Sequence, residues 1–175
     1  MAVESGVSLA PIHMLTIRKA ERKDCASIAH VHTSAIRAIS NSLYTPEEIE
    51  AWAVPRTPES YQQSIRSKEF YVAVEDDLIV GFGLLNQESR EIEAVYVSPD
   101  VRRRGVGLMI LGLLEERARA LGLEVLSLNA SLNAVRFYKG AGYVAQEGAK
   151  YRLPSGVEIP CVPMVKRIML IDGRQ

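Results

Sequence analysis

The chain has no net charge to spend on a partner: 21 Lys and Arg balance 21 Asp and Glu. That balance recruits neither nucleic acid nor an anionic membrane, and neither is expected as a partner. Cysteine is scarce, with only Cys25 and Cys161, far apart and without metal-type spacing. The three histidines, His13, His30 and His32, include no i, i+4 pair with a downstream carboxylate, so no metal site is expected. Neither a signal-type segment nor an apolar run of about 18 residues is recognisable, which makes a cytoplasmic setting the default expectation.

What is present suits one compact domain. The chain has 175 residues, enough for a core of its own. Residues 1–13 mix small and polar types without period and read as a mobile extension, leaving 14–175 as a single domain. The stretch LTIRKA alternates like a strand, and Asp24 is placed to cap a helix with apolar positions at Ile28, Val31, Ala35 and Ile39. Thr45 and Pro46 open a second helix, and a third follows Pro58. The run FYVAVEDDLIVGFGLLNQ reads as a hairpin turning at Asp76 and Asp77, and REIEAVYVSP as a strand stopped by Pro99. A helix runs from Gly105 to Leu121 with Gly122 as its stop, followed by strand EVLSLN, short helix NAVRFYKGAG and a last hairpin around PSG. The order implies an α/β (α+β) fold whose mixed, mostly antiparallel central sheet is flanked by helices.

The chemistry concentrates in VSPDVRRRGVGLMILGLLEERA. A strand ends at proline, and Gly105 and Gly107 then open a helix, so several free amides and the positive end of the helix dipole converge where a pyrophosphate would fit. Taken alone, the same residues also suit a solvated arginine face on a tight turn. No Gly-Lys-Ser/Thr follows, which excludes a Walker A loop, and the third glycine of a dinucleotide fingerprint would fall on Ile110.

With Arg102, Gly105 and Gly107 fitting Gln/Arg-x-x-Gly-x-Gly/Ala after a strand, and Ala134, Phe137, Tyr138, Gly142 and Tyr143 fitting a later Ala-aromatic-Tyr and Gly-Tyr pattern, the chain resembles the GNAT superfamily of acyl-coenzyme-A-dependent N-acyltransferases. The resemblance covers about residues 14 to 170. It implies acetyl-coenzyme A as co-substrate, with no metal, and transfer of the acetyl group to a primary amine of a small molecule or peptide. A homodimer would accord with family behaviour. The resemblance further implies that the donor lies along Val95, Tyr96 and Val97 and over Arg102, Arg103, Arg104, Gly105, Val106, Gly107 and Leu108, near Phe137 and Tyr138. Many members carry Asn where this chain has Ser131, which leaves Asn133 as a candidate contact to the pantetheine arm.

The phase of EIEAVYV is broken, because Ile92, Ala94 and Tyr96 alternate with Glu91 and Glu93 while Val95 and Val97 make the end fully apolar. A strand buried on both faces explains this, and so does a β-bulge near Val95 and Tyr96, which the family's fold possesses. The resemblance then places an amide at or beside Val95 as oxyanion donor. Amine transfer needs a base for the ammonium and an acid for the leaving thiolate. Tyr138 is the acid candidate, with Glu93 ahead of Glu91 as the base. The acceptor would meet His32, Tyr44 and Trp52. The alternatives are a non-catalytic acyl-coenzyme A sensing module and a dinucleotide-binding oxidoreductase, the latter disfavoured by Ile110.

Overall fold

The computed structural model describes residues 14–102 and 104–169. The expected extension at 1–13 lies outside the described residues. Strand β1 (Leu15–Lys19) leads into helices α1 (Cys25–Arg37), α2 (Pro46–Trp52) and α3 (Pro58–Ser67). Strands β2 (Glu69–Glu75), β3 (Leu78–Asn86) and β4 (Glu91–Val97) follow, then α4 (Val106–Ala120), β5 (Val125–Ser131) and α5 (Val135–Gly140). Three strands close the fold: β6 (Val144–Ala145), β7 (Ala149–Arg152) and β8 (Glu158–Arg167). The eight strands form one sheet in the order β1-β2-β3-β4-β5-β8-β6, with β7 also paired to β8. Every pairing is antiparallel except β4 with β5, which α4 joins as a crossover.

Local chemistry accounts for the element boundaries. Asp76 and Asp77 turn the β2–β3 hairpin with φ of 47° and 64°, the two consecutive positive values a tight hairpin turn needs. Thr45 caps α2 by accepting from Glu48 N at 3.2 Å, while the Glu48 carboxylate accepts from Thr45 N at 2.8 Å. Asp24 departs from expectation: it precedes α1 but makes no capping bond to it. Its carboxylate instead accepts from Arg18 at 2.7 and 2.9 Å and from Glu21 N at 2.8 Å, because α1 grows directly out of a 3₁₀ turn at Arg22–Asp24. The bidentate Arg18 contact ties β1 to the start of α1 and holds the Asp24 carboxyl below its usual pKa.

The sheet separates two apolar layers. On one face Ile110, Leu111, Leu114 and Ala118 of α4 pack against Leu85, Ile92, Leu126 and Leu128. On the other, Ile28 and Val31 of α1 and Tyr61 of α3 cover Phe70, Val72, Phe82 and Leu84. Full burial of each large aliphatic side chain contributes about 1.5–3 kcal/mol, so α4 is held mainly by Ile110, Leu111 and Leu114. A smaller cluster of Ile36, Tyr44 and Ile49 with Leu153 and Ile159 anchors the β7–β8 end to α1 and α2.

The bulge sits two residues earlier than the phase break suggests. Leu84 pairs with Ala94 and Leu85 with Ile92, which leaves Glu93 as the extra residue of β4. Ile92 therefore faces α4, and beyond the bulge Val95 and Val97 face it again, while Ala94 and Tyr96 pack toward α1. The apolar end of the strand is thus half-buried on both faces, and it follows a bulge that falls at Glu93 rather than at Val95 and Tyr96.

Gly83 lets α4 approach β3. A Cβ at this position would overlap Ile110 Cγ2 and lie 3.0 Å from Leu114 Cδ1, both in the packed layer. Gly83→Ala is expected to lower unfolding free energy in urea by about 1–3 kcal/mol, through displacement of α4. An unchanged midpoint would show that this contact does not set the helix position.

Candidate active site

The site begins where the sheet parts. Strands β4 and β5 are bridged only at Glu91↔Ser127, reinforced by Ser127 N donating to Arg90 O at 3.0 Å. Farther along, Phe82 pairs with Tyr96 in the β3–β4 ladder and Ser98 N donates to Val80 O at 2.8 Å. Because successive residues alternate direction, the backbone groups of Val95 and Val97 point the other way, toward the opened side of β4. Tyr96 contributes differently from its neighbours. Its backbone belongs to the β3 ladder, and its ring lines the cleft on the α1 face.

Directly beyond β4, Gly105 takes φ of 81° and starts α4 without a side-chain cap. The first turn holds no acidic residue, and the first helical bond at this end is Met109 N to Gly105 O at 3.1 Å. The amides of Val106, Gly107 and Leu108 precede that bond and form a positive N-terminus suited to a phosphate group. A Cβ on Gly107 would lie 3.5 Å from the Phe137 ring and 3.6 Å from Val97 Cγ2. The bare glycine thus marks where the α4 turn, α5 and the end of β4 converge.

The arginine side chains next to this turn have partners of their own. Arg102 donates to Ala35 O at 3.0 Å and Ala38 O at 3.3 Å, so its guanidinium caps the carbonyl end of α1. Arg104 binds Glu75 in a fork at 2.6 and 2.9 Å. Both guanidiniums are thus engaged by oxygens of the protein itself. Arg103 lies outside the described residues.

Across the opening, α5 presents Tyr138, which is buried and packs edge-on against Phe137 and Tyr143. Burial, with a smaller contribution from nearby Tyr96, pushes its phenol well above the ordinary tyrosine pKa, so it is a neutral proton donor at pH 7. Asn133 is exposed in the turn before α5, whereas Ser131 ends β5 and lines the cleft.

On the α1 face a cleft of about 840 Å³ is lined by His32, Tyr44, Trp52, Tyr61, Tyr96 and Tyr151, among others. It brings together all three residues expected to meet an acceptor. The two glutamates share this cleft but not an environment. Glu93 accepts from Lys68 Nζ at 2.6 and 2.8 Å and from Asn86 Nδ2 at 2.8 Å, so its charge is compensated. Among the described residues Glu91 accepts only from the neutral Asn129, at 3.1 Å. Burial and then the neighbouring Glu93 raise its pKa, against smaller opposing effects of Asn129 and Lys68. The two candidate bases thus stand in different environments, Glu93 in an ion pair with Lys68 and Glu91 beside a neutral amide. Asn129 and Lys68 escaped the sequence reading because a strand asparagine and a helix-end lysine carry no pattern of their own. The only available clue was that Asn129 shares a strand face with Ser131.

The chain is similar to known proteins. Residues 41–168 match the family model described as an acetyltransferase (GNAT) domain. The chain belongs to the GNAT acetyltransferase family. A crystal structure of a GCN5-related N-acetyltransferase from Rhodopseudomonas palustris aligns with a TM-score of 0.81 at 27% identity, covering 87% of this chain and 94% of that one. The PaiA N-acetyltransferase of Thermoplasma acidophilum, solved with coenzyme A, aligns at 0.73 and 19% identity over 88% and 99% of the two chains. A phosphinothricin acetyltransferase of Sinorhizobium meliloti, solved with acetyl-coenzyme A, aligns at 0.69 and 17% identity over 92% of each. The latter two likenesses establish the shared GNAT fold. No curated protein sequence matches the chain.

Within this GNAT domain the acceptor-side residues differ in their freedom. The Tyr44 hydroxyl donates to Pro160 O at 3.0 Å and accepts from Leu132 N at 2.8 Å, which makes it a brace between α2, β5 and β8. His32 is buried, bonds Tyr61 Oη at 2.8 Å through Nδ1, and lies against the Tyr96 ring at 4.5 Å between centroids. Burial, with a lesser effect of Arg56, lowers its pKa to about 4, so the ring is neutral at pH 7.

Since the folded value lies below the unfolded one, near 6.5, the unfolded chain takes up the extra proton between these limits. Stability is expected to fall as pH drops from about 6.5 toward 4, with His32 contributing on the order of 3 kcal/mol. Urea unfolding of His32→Gln across that window is expected to show a shallower loss than wild type. Parallel curves would remove His32 as the source.

Proposed function

We propose that the protein moves the acetyl group of acetyl-coenzyme A to a primary amine of a small molecule or peptide, by direct transfer within a ternary complex. The observation that carries this reading is the parted β4–β5 edge. There the outward backbone of Val95 and Val97 and the uncapped turn at Gly105–Leu108 meet α5 at Phe137, the neighbour of Tyr138, beside a cleft containing Glu91. The donor pyrophosphate is assigned to the amides of Val106, Gly107 and Leu108, with its arm in the gap and Ser131 beside it in place of exposed Asn133. Coenzyme A and acetyl-coenzyme A in the related GNAT structures support the assignment of the donor.

An alkyl ammonium with a pKa near ~10 must lose a proton before it attacks. Glu91 takes that proton, and its raised pKa makes it a stronger base than an ordinary carboxylate. The freed nitrogen bonds to the thioester carbon, and the developing oxyanion is received by the Val95 amide. As the carbon–sulfur bond breaks, the Tyr138 phenol protonates the leaving sulfur. The nitrogen loses its second proton, which restores the phenol, directly or through water. The balance is one amide, one free thiol and one proton released to solvent. Positioning in the gap supplies rate in addition to these proton transfers.

Tyr138→Phe is expected to reduce kcat by about 10²- to 10⁴-fold while the KM for acetyl-coenzyme A stays near that of wild type. A wild-type kcat would remove Tyr138 as the acid. Glu91→Gln is expected to depress kcat by a similar factor near pH 7, with the deficit shrinking as pH approaches the amine pKa. Glu93→Gln should have the smaller effect, since its carboxylate is already engaged by Lys68. The reverse order would return the base to Glu93. Mass spectrometry of a pooled amine panel mixed with protein and acetyl-coenzyme A tests the reading as a whole, because an acetylated product is required by transfer. Tight coenzyme A binding with no product from any amine would favour a sensing module.

A further inference from the structure

The charges lining the acceptor cleft form an unusual set. They are Arg56, Glu91 and Glu93, and His32 adds none at neutral pH. Lys68 compensates Glu93, leaving one carboxylate, Glu91, with only an amide partner. Arg56 stands in the segment between α2 and α3, and among the described residues it makes no ion pair or hydrogen bond. It is nevertheless aimed at the cleft, close enough to act on His32, Tyr61 and Tyr96 at once. The remaining wall is mostly apolar and aromatic, with Trp52, Tyr61, Phe82, Tyr96 and Tyr151.

A positive and a negative group lining one aromatic cleft complement a zwitterion that carries an apolar side chain. The amine end is fixed by chemistry, since it must reach Glu91 and the thioester carbon. The other charged end then falls to Arg56, whose planar fork matches a carboxylate. We infer that the acceptor is a free amino acid with an apolar or aromatic side chain, its carboxylate held by Arg56. This deepens the acetyl-transfer reading and rests on it for the identity of the amine end. An uncharged amine, or an amino acid blocked as its carboxamide, would leave Arg56 unpaired in the occupied cleft and lose the charge-assisted bonds.

Trp52 is the only tryptophan of the chain and lines the same cleft, so its fluorescence reports acceptor binding without any turnover. The test titrates wild-type protein with L-phenylalanine and L-leucine and with their carboxamides, in the presence of coenzyme A. Each free amino acid is expected to bind at least about tenfold more tightly than its carboxamide, the effect of one charge-assisted pair. In Arg56→Met that advantage should collapse to near unity, and Arg56→Lys should restore part of it. Equal affinities of acid and amide in wild type, an advantage that survives Arg56→Met, or no detectable binding of either amino acid would overturn the inference. Mass spectrometry of the same mixtures, with acetyl-coenzyme A replacing coenzyme A, reads transfer separately. Selective binding without product contradicts the acetyl-transfer reading and upholds the recognition by Arg56. Product from uncharged amines with no selective binding does the opposite.

Discussion

The parting of β4 from β5 is the constraint on which the site depends. A sheet interior ordinarily satisfies its backbone groups by pairing, and leaving them unpaired away from water is costly. Here the two parallel strands share one bridge, Glu91↔Ser127, and then diverge, which turns the backbone of Val95 and Val97 toward open space. The bulge at Glu93 accompanies this divergence, resetting the strand so that both valines return to the α4 layer. The gap suits a polar ligand with an extended backbone-like character. An acyl donor whose arm carries amides meets that requirement in a way that a nucleotide ring does not.

Electrostatic division of labour follows from the same strand. Glu91 and Glu93 flank the bulge, and their neighbours separate them chemically. Lys68 closes over Glu93, while Glu91 is left with a neutral amide partner and a raised pKa. Two acids two residues apart thus become a structural ion-pair member and a candidate base. The aromatic wall keeps His32 neutral, so the cleft carries few uncompensated charges, and those that remain can discriminate between acceptors.

Much of the architecture was legible in the sequence because it rests on local chemistry. The helices announce themselves through Thr45, Pro46 and the apolar spacing of α4, and the hairpin turns through Asp76 and Asp77. The GNAT loop was legible because Gly105, which takes a positive φ, and Gly107 open a helix directly after a strand that ends at proline, a spacing visible in the sequence. What the sequence hid was long-range pairing. Arg102 looks like a phosphate ligand until the carbonyl end of α1 is seen within its reach, and Asp24 looks like a cap until Arg18 is placed beside it. Lys68 and Asn129 lie far along the chain from Glu93 and Glu91, and only the folded sheet brings them together. The bulge was visible as a broken phase, but its residue was fixed only by the register of β3 against β4.

Donor binding is proposed to rest on the β4–β5 gap and the α4 N-terminus together. Residue-resolved amide hydrogen exchange with and without acetyl-coenzyme A tests it most directly. Slowed exchange concentrated at Val95, Val97 and the amides of Gly105–Leu108 is the predicted result. Protection confined to other surfaces, with these amides exchanging as fast as in the free protein, would contradict it.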